Sequence, residues 1–171
     1  MSDLTYTLVS DGSSDASLMP ILDWLLKVNG IGCAIQGEWA DLRRLRAPPA
    51  GLSARIRKAV ELFPCELLFI HRDAERVPYD LRQDEVQQAV TTVVFERMPP
   101  PACVCVIPVR MQEAWLLFDE NAIRRAAGNP SGKVPLQLPA LHGCEDLPDP
   151  KRLLHYLLEE ASGSTIAGWT W

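Results

Sequence analysis

The chain has 171 residues, 47% of them hydrophobic, and sets 17 Lys+Arg against 22 Asp+Glu for a net charge of -5. That length suits a single domain over 1–171 with a core that buries roughly 70% of the unfolded surface, and the even spread of apolar residues excludes collagen-like, mucin-like and long disordered classes. No apolar run approaches the roughly 18 residues of a membrane span, and Met1-Ser2-Asp3 opens on an acid, so the expectation is a cytoplasmic protein without a membrane partner.

Leu4 to Ser10 is rich in β-formers and stops at the turn signature Asp11-Gly12-Ser13-Ser14-Asp15. From Ala16 to Asn29 the apolar residues recur at helical spacing, with Pro20 in the first turn and Gly30 as the stop, and Trp24 is expected on the core face. Ile31 to Ile35 is expected as the second strand and Asp41 to Ala47 as a short helical turn. Ser53 is placed to cap a helix over Ala54 to Phe63, whose Ile56, Ala59, Val60 and Phe63 share one face. Leu67-Leu68-Phe69-Ile70 is a continuous apolar run, as in a strand buried on both faces of a parallel sheet. A long helix is expected over Leu81 to Met98, ended by Pro99-Pro100-Pro101, then a strand from Val104 to about Val109. Met111 to Ala127 reads as helix with a break near Asp119, with Trp115 core-facing and Gly128 as the cap. Asn129 to Pro150, with five prolines, reads as a long loop, and Lys151 to Ala161 as a last helix. Strands alternating with helices predict an α/β fold: a mostly parallel central sheet flanked by helices on both faces.

Cys33, Cys65, Cys103, Cys105 and Cys144 are odd in number and include no CxxC pair, which excludes zinc-ribbon spacing and predicts buried, reduced thiols. In a parallel α/β sheet, ligands sit beyond the carboxyl ends of the strands. There the sequence places acids: Asp11 and Asp15 after the first strand, Asp73 and Glu75 after Leu67–Ile70, and Glu113, with Asp119 further on, after the Val104 strand. Like charges held close cost several kcal/mol unless a cation or protons neutralise them, and carboxylates are hard ligands suited to Mg²⁺. Singly, each acid has a plainer reading: a turn at Asp11-Gly12, a helix cap at Asp15, a solvent-facing side chain at Glu113.

An acid-Gly-x-x-acid turn after a β-rich start, then a strand leading to Asp73-x-Glu75, resembles the TOPRIM domain of topoisomerases, primases and OLD-family nucleases. With the acid inside Met111-Gln112-Glu113-Ala114-Trp115-Leu116-Leu117, the chain resembles more closely a TOPRIM-like family of uncharacterised bacterial proteins, over roughly Thr5 to Gly128. The resemblance implies a three-layer Rossmann-like sandwich and a Mg²⁺-dependent (or Mn²⁺-dependent) nuclease acting on phosphodiesters. It gives Asp11, Asp73 and Glu113 catalytic roles, Asp11, Asp15, Asp73, Glu75 and Glu113 as metal ligands, and a partner ATPase in phage defence. Two residues depart from the family pattern: Asp11 stands where glutamate is usual and Glu75 where aspartate is commoner, so the chain is also compatible with binding without cutting.

Leu42 to Val60 carries Arg43, Arg44, Arg46, Arg55, Arg57 and Lys58 and no acid, so this window is +6 and the remainder, 11 basic minus 22 acidic, is -11. A basic arm of this kind suits a phosphate backbone or an acidic partner, so the net charge does not exclude nucleic acid. Arg72 and Arg110, beside strand ends, suit transition-state charge or salt bridges to the same acids. Trp39, Trp169 and Trp171 fit no period; base stacking and packing on a partner or second subunit both account for them, which leaves room for a homo-oligomer. The alternatives are a non-catalytic binding module, a small-molecule phosphoesterase and, least well matched for want of a lysine after the last strand, a receiver-like phosphoacceptor.

Overall fold

The computed structural model describes residues 3–74, 77–95, 99–108 and 112–163. The chain divides into two compact units, Met1–Arg72 with Val77–Ile107, and Asp73–Arg76 with Pro108–Trp171.

The first unit holds β1 (Leu4–Val9), α1 (Met19–Val28), β2 (Ile35–Trp39), α2 (Leu52–Leu62), β3 (Leu67–His71), α3 (Tyr79–Thr91) and β4 (Ala102–Val106). The four strands form one sheet in the order β2-β1-β3-β4, and every neighbouring pair is parallel. Alternation along the strands sorts the two faces. Thr7 Oγ1 donates to the Phe63 carbonyl just past α2, and Val9, Leu68 and Ile70 join Ile56, Ala59 and Val60 of α2 and Val86 and Ala89 of α3 in one core. On the opposite face Tyr6 reaches α1, its hydroxyl donating to Asp23 Oδ1 at 2.8 Å, and stacks edge-on against Phe69 at 5.4 Å. Helices therefore cover both faces, and the unit is a three-layer α/β sandwich as the alternation of elements predicts.

The second strand begins later than expected, at Ile35 rather than Ile31. Gly30, at φ +89°, ends the α1 turn, and the Leu4 N–H pairs first with the Ala34 carbonyl, so residues 31–34 are the connector. Gly37 lies opposite Tyr6 in the register, and a Cβ there would sit 2.6 Å from Tyr6 Cε1. The glycine is what lets the phenol ring lie over β2. The helix expected to reach Met98 closes at Thr92; the β-branched run Thr91-Thr92-Val93-Val94 supports extended backbone better than helix. Gly51, at φ +78°, occupies the N-cap of α2 in place of Ser53, whose hydroxyl instead lies 2.8 Å from that of Thr92. Trp24 is 61% exposed rather than core-facing, because α1 buries only Leu22 fully and its remaining apolar residues wrap around the helix. The cysteines are all free, but only Cys65 and Cys144 are buried, whereas Cys103 is exposed on β4.

The second unit is helical. A 3-10 turn over Gln112–Leu116 leads to α4 (Glu120–Ala126), and the expected break falls at Asp119, whose side chain caps α4 by accepting from the Ala122 N–H. Trp115 there is half-buried. A 3-10 turn over Leu141–Asp146 interrupts the proline-rich stretch. The last helix, α5 (Pro150–Ser162), has Asp149 as its N-cap, Pro150 in the first turn and Gly163, at φ +68°, beyond its end. Leu117, Ile123, Cys144, Leu157 and Ala161 form this unit's core. Among the described residues no helix is long and apolar enough to cross a membrane.

Candidate phosphate site at the carboxyl edge of the sheet

In the order β2-β1-β3-β4, the chain leaves β1 to one side for β2 and then crosses back to β3 on the other. The carboxyl ends of β1 and β3 therefore flank a topological switch point, the usual place for a ligand in an open α/β sheet. The backbone leaves β1 through Ser10 and turns over Asp11–Ser13 into a 3-10 turn at Ser14–Leu18, while β3 runs out at His71 into Arg72.

Asp15 pins this turn from beneath. Its carboxylate accepts the Gly12 N–H at 2.8 Å and the Ser14 hydroxyl at 3.3 Å, and it faces His71 Nδ1 at 3.4 Å. The two side chains are 8% and 1% exposed. Burial pushes the Asp15 carboxyl up, but the hydrogen bonds from His71, Gly12 and Ser14 and the charge of the imidazole outweigh it and hold the group below its ordinary value of 3.8. Trp39, at the end of β2, fixes the other side of the turn by donating its indole N–H to Ser10 Oγ at 2.9 Å, with Arg43 over its ring. Trp39 thus packs within its own unit.

Above Asp15, five charged side chains form an alternating chain. Arg55 of α2 pairs with Asp11 and donates to the Ser10 carbonyl. Arg72 Nε lies 3.3 Å from the other Asp11 oxygen, and Arg72 Nη2 lies 3.1 Å from Glu85 Oε1 on α3. The second Glu85 oxygen takes Arg82 Nη1, one helical turn back. The three guanidiniums are largely sequestered, at 19%, 22% and 11% exposure for Arg55, Arg72 and Arg82, whereas Asp11 and Glu85 keep 48% and 40%. Cations held inside with their counter-ions facing water form a frame that an incoming oxyanion can enter, because arginine forks match phosphate as well as carboxylate.

Of the residues singled out in the sequence, Asp11, Asp15, Arg55 and Arg72 come together here. Asp73 and Glu113 belong to the second unit, where the N–H of Ala74, beside Asp73, bonds the Pro108 carbonyl and Glu113, largely buried, lies 3.9 Å from Lys151 Nζ. Glu75 and Arg110 lie outside the described residues, as do Trp169 and Trp171. In the basic window, Arg43 and Arg44 pair with Asp41 and Lys58 with Glu61, while Arg46 and Arg57 are exposed. Among the described residues no group of three or more His, Cys, Asp or Glu side chains is arranged to hold a metal ion. Sequence reasoning missed His71, Arg82 and Glu85. Position 71 was legible, standing directly after an apolar strand; Arg82 and Glu85 carry no local signal, since a helical Arg-x-x-Glu is an ordinary surface pair.

Compared with protein-family models, with curated proteins and with solved structures, the chain matches none of them.

Proposed function

We propose that this protein takes phosphodiesters of nucleic acid at the carboxyl edge of its sheet and acts on them as a Mg²⁺- or Mn²⁺-dependent nuclease or nuclease-like subunit. The observation that carries the reading is the sequestered trio Arg55, Arg72 and Arg82 at the switch point, held in place by carboxylates that face solvent. Asp11 and Glu85 balance the guanidiniums; a phosphate brings its own negative charge and takes over part of that role. Among the described residues no carboxylate cluster is arranged to hold a metal, so the divalent cation, with Asp11, Asp15, Asp73, Glu75 and Glu113 as its ligands, rests on the resemblance in the sequence; it would supply Lewis acidity and a more acidic water when bound. Arg46 and Arg57 are exposed cations that a phosphate backbone can also meet. A partner ATPase and a role in phage defence rest on the resemblance in the sequence alone, and a homo-oligomer on the tryptophans that fit no period.

A second reading, a binding module without hydrolysis, is favoured by one feature: Asp11 is engaged by two arginines, which compete with a metal for its oxygens. Incubating labelled single- and double-stranded DNA and RNA with the protein and Mg²⁺ or Mn²⁺ separates the two. The nuclease reading expects cation-dependent cleavage that Asp73→Ala abolishes and Arg72→Gln weakens. Binding that Arg72→Gln weakens, with no cleavage under either cation, supports the module. Cleavage of small phosphomonoesters but not of nucleic acid points to a phosphoesterase, and neither binding nor cleavage refutes all three.

A further inference from the structure

Glu85 occupies an unusual place in the charged chain. Each of its oxygens lies on a different guanidinium, Oε1 at 3.1 Å from Arg72 Nη2 and Oε2 at 2.5 Å from Arg82 Nη1. Arg72 in turn has Asp11 3.3 Å from Nε, which makes no hydrogen bond among the described residues, and Glu85 3.1 Å from Nη2; these two nitrogens form one edge of the guanidinium, which a single oxyanion can bridge. Arg82 is used only in part: its Nε is buried and has no hydrogen-bond partner among the described residues, although Nη1 is engaged. A carboxylate offers two oxygens and leaves that donor idle. A phosphate offers more oxygens around one centre, and one of them can take the Nη1 donor that Glu85 now holds, while Nε points along the other edge of the guanidinium. Glu85 itself is free to leave, since its side chain is 40% exposed.

We propose that Glu85 is a built-in competitor for the ligand's phosphate: its carboxylate stands on Arg72 and Arg82 where phosphate oxygens bind, and Arg82 completes the phosphate site once Glu85 swings out to water. The inference rests on the reading of the switch point as a phosphodiester site. It runs opposite to the ordinary expectation for an ion-paired residue, whose removal weakens the site it supports.

The test is equilibrium binding of a fluorescein-labelled single-stranded oligonucleotide to the full chain, in Ca²⁺ in place of Mg²⁺ to suppress turnover. The variants are Glu85→Gln, Arg82→Gln, their combination, and Arg72→Gln, each checked for an unchanged thermal midpoint. Glu85→Ala serves if Glu85→Gln fails to fold. Removing the competing charge is expected to tighten binding by roughly three- to tenfold, at low ionic strength, and Arg82→Gln in the Glu85→Gln background is expected to reverse the gain. Binding that Arg72→Gln weakens but Glu85→Gln leaves unchanged or weakens would overturn the role of Glu85 while the phosphodiester reading stands. No binding by the wild type or by Glu85→Gln would overturn both. Binding by Glu85→Gln alone supports the competitor in its strongest form.

Discussion

Replacing Asp15 by Asn changes one buried atom and one charge, and the structure sets what that should cost. The carboxylate holds the Gly12 N–H at 2.8 Å and the Ser14 hydroxyl at 3.3 Å while facing His71 Nδ1 at 3.4 Å, with almost no access to water. Hydrogen bonds to a charged acceptor contribute about 1.5–3 kcal/mol each, against about half that for neutral ones. An amide keeps one neutral acceptor for Gly12 but turns its NH₂ group toward Ser14 or His71. The expected loss at neutral pH is about 2–3 kcal/mol, a large share of the roughly 5–15 kcal/mol of a typical domain. The pH dependence follows from the lowered Asp15 value. Because the folded group titrates below 3.8, its contribution is fully present above that pH and disappears as pH falls through the folded value. Urea unfolding followed by tryptophan fluorescence should therefore show a gap between wild type and Asp15→Asn that is constant from neutral pH down to the unfolded value and narrows below it. A gap under about 1 kcal/mol at neutral pH, or one of the same size in acid, would refute the assignment of Asp15 as the charged anchor of the β1 turn.

Two further outcomes test the fold around the site. Gly37→Ala puts a methyl 2.6 Å from Tyr6 Cε1, so the ring must leave its place between Asp23 and Phe69, at an expected cost of about 2–3 kcal/mol in chemical denaturation. In a Tyr6→Leu background most of that extra cost should vanish, and full additivity would contradict the contact. Trp24→Gln, on the exposed side of α1, should change the unfolding free energy by no more than about 0.5 kcal/mol; a loss of core size would mean that the indole is covered in solution.

The parts of the fold that were legible in the sequence are those with an unambiguous burial pattern. Leu67–Ile70 is apolar throughout because β3 is central and covered on both faces, and Leu4–Val9 shares that position. Ile35-Gln36-Gly37-Glu38-Trp39 hides as a strand because β2 is an edge with alternating exposure, and its central glycine answers to Tyr6, a residue on another strand. Helix periodicity located α1 but did not orient it: apolar residues on more than one side leave open which of them faces the core, and Trp24 proves to be outside. At the site, Asp11, Asp15 and Arg72 could be read from their positions at strand ends, since the loop after a parallel strand always reaches the same edge of the sheet. Their pairing could not. Arg55 comes from α2, and Glu85 and Arg82 from α3, so the charged chain exists only through tertiary packing. Glu113 was expected to be either a ligand or solvent-facing; it is largely buried beside Lys151, a residue 38 positions away (151 minus 113) that no local pattern connects to it.

The most direct test of the phosphodiester site is a crystal structure of the full chain grown with a short single-stranded oligonucleotide and Ca²⁺. The expected result is a backbone phosphate within hydrogen-bonding distance of Arg72 and Arg55, with the Glu85 carboxylate displaced toward solvent. An oligonucleotide ordered elsewhere on the protein, with the chain from Arg55 through Asp11, Arg72 and Glu85 to Arg82 still closed, would contradict it.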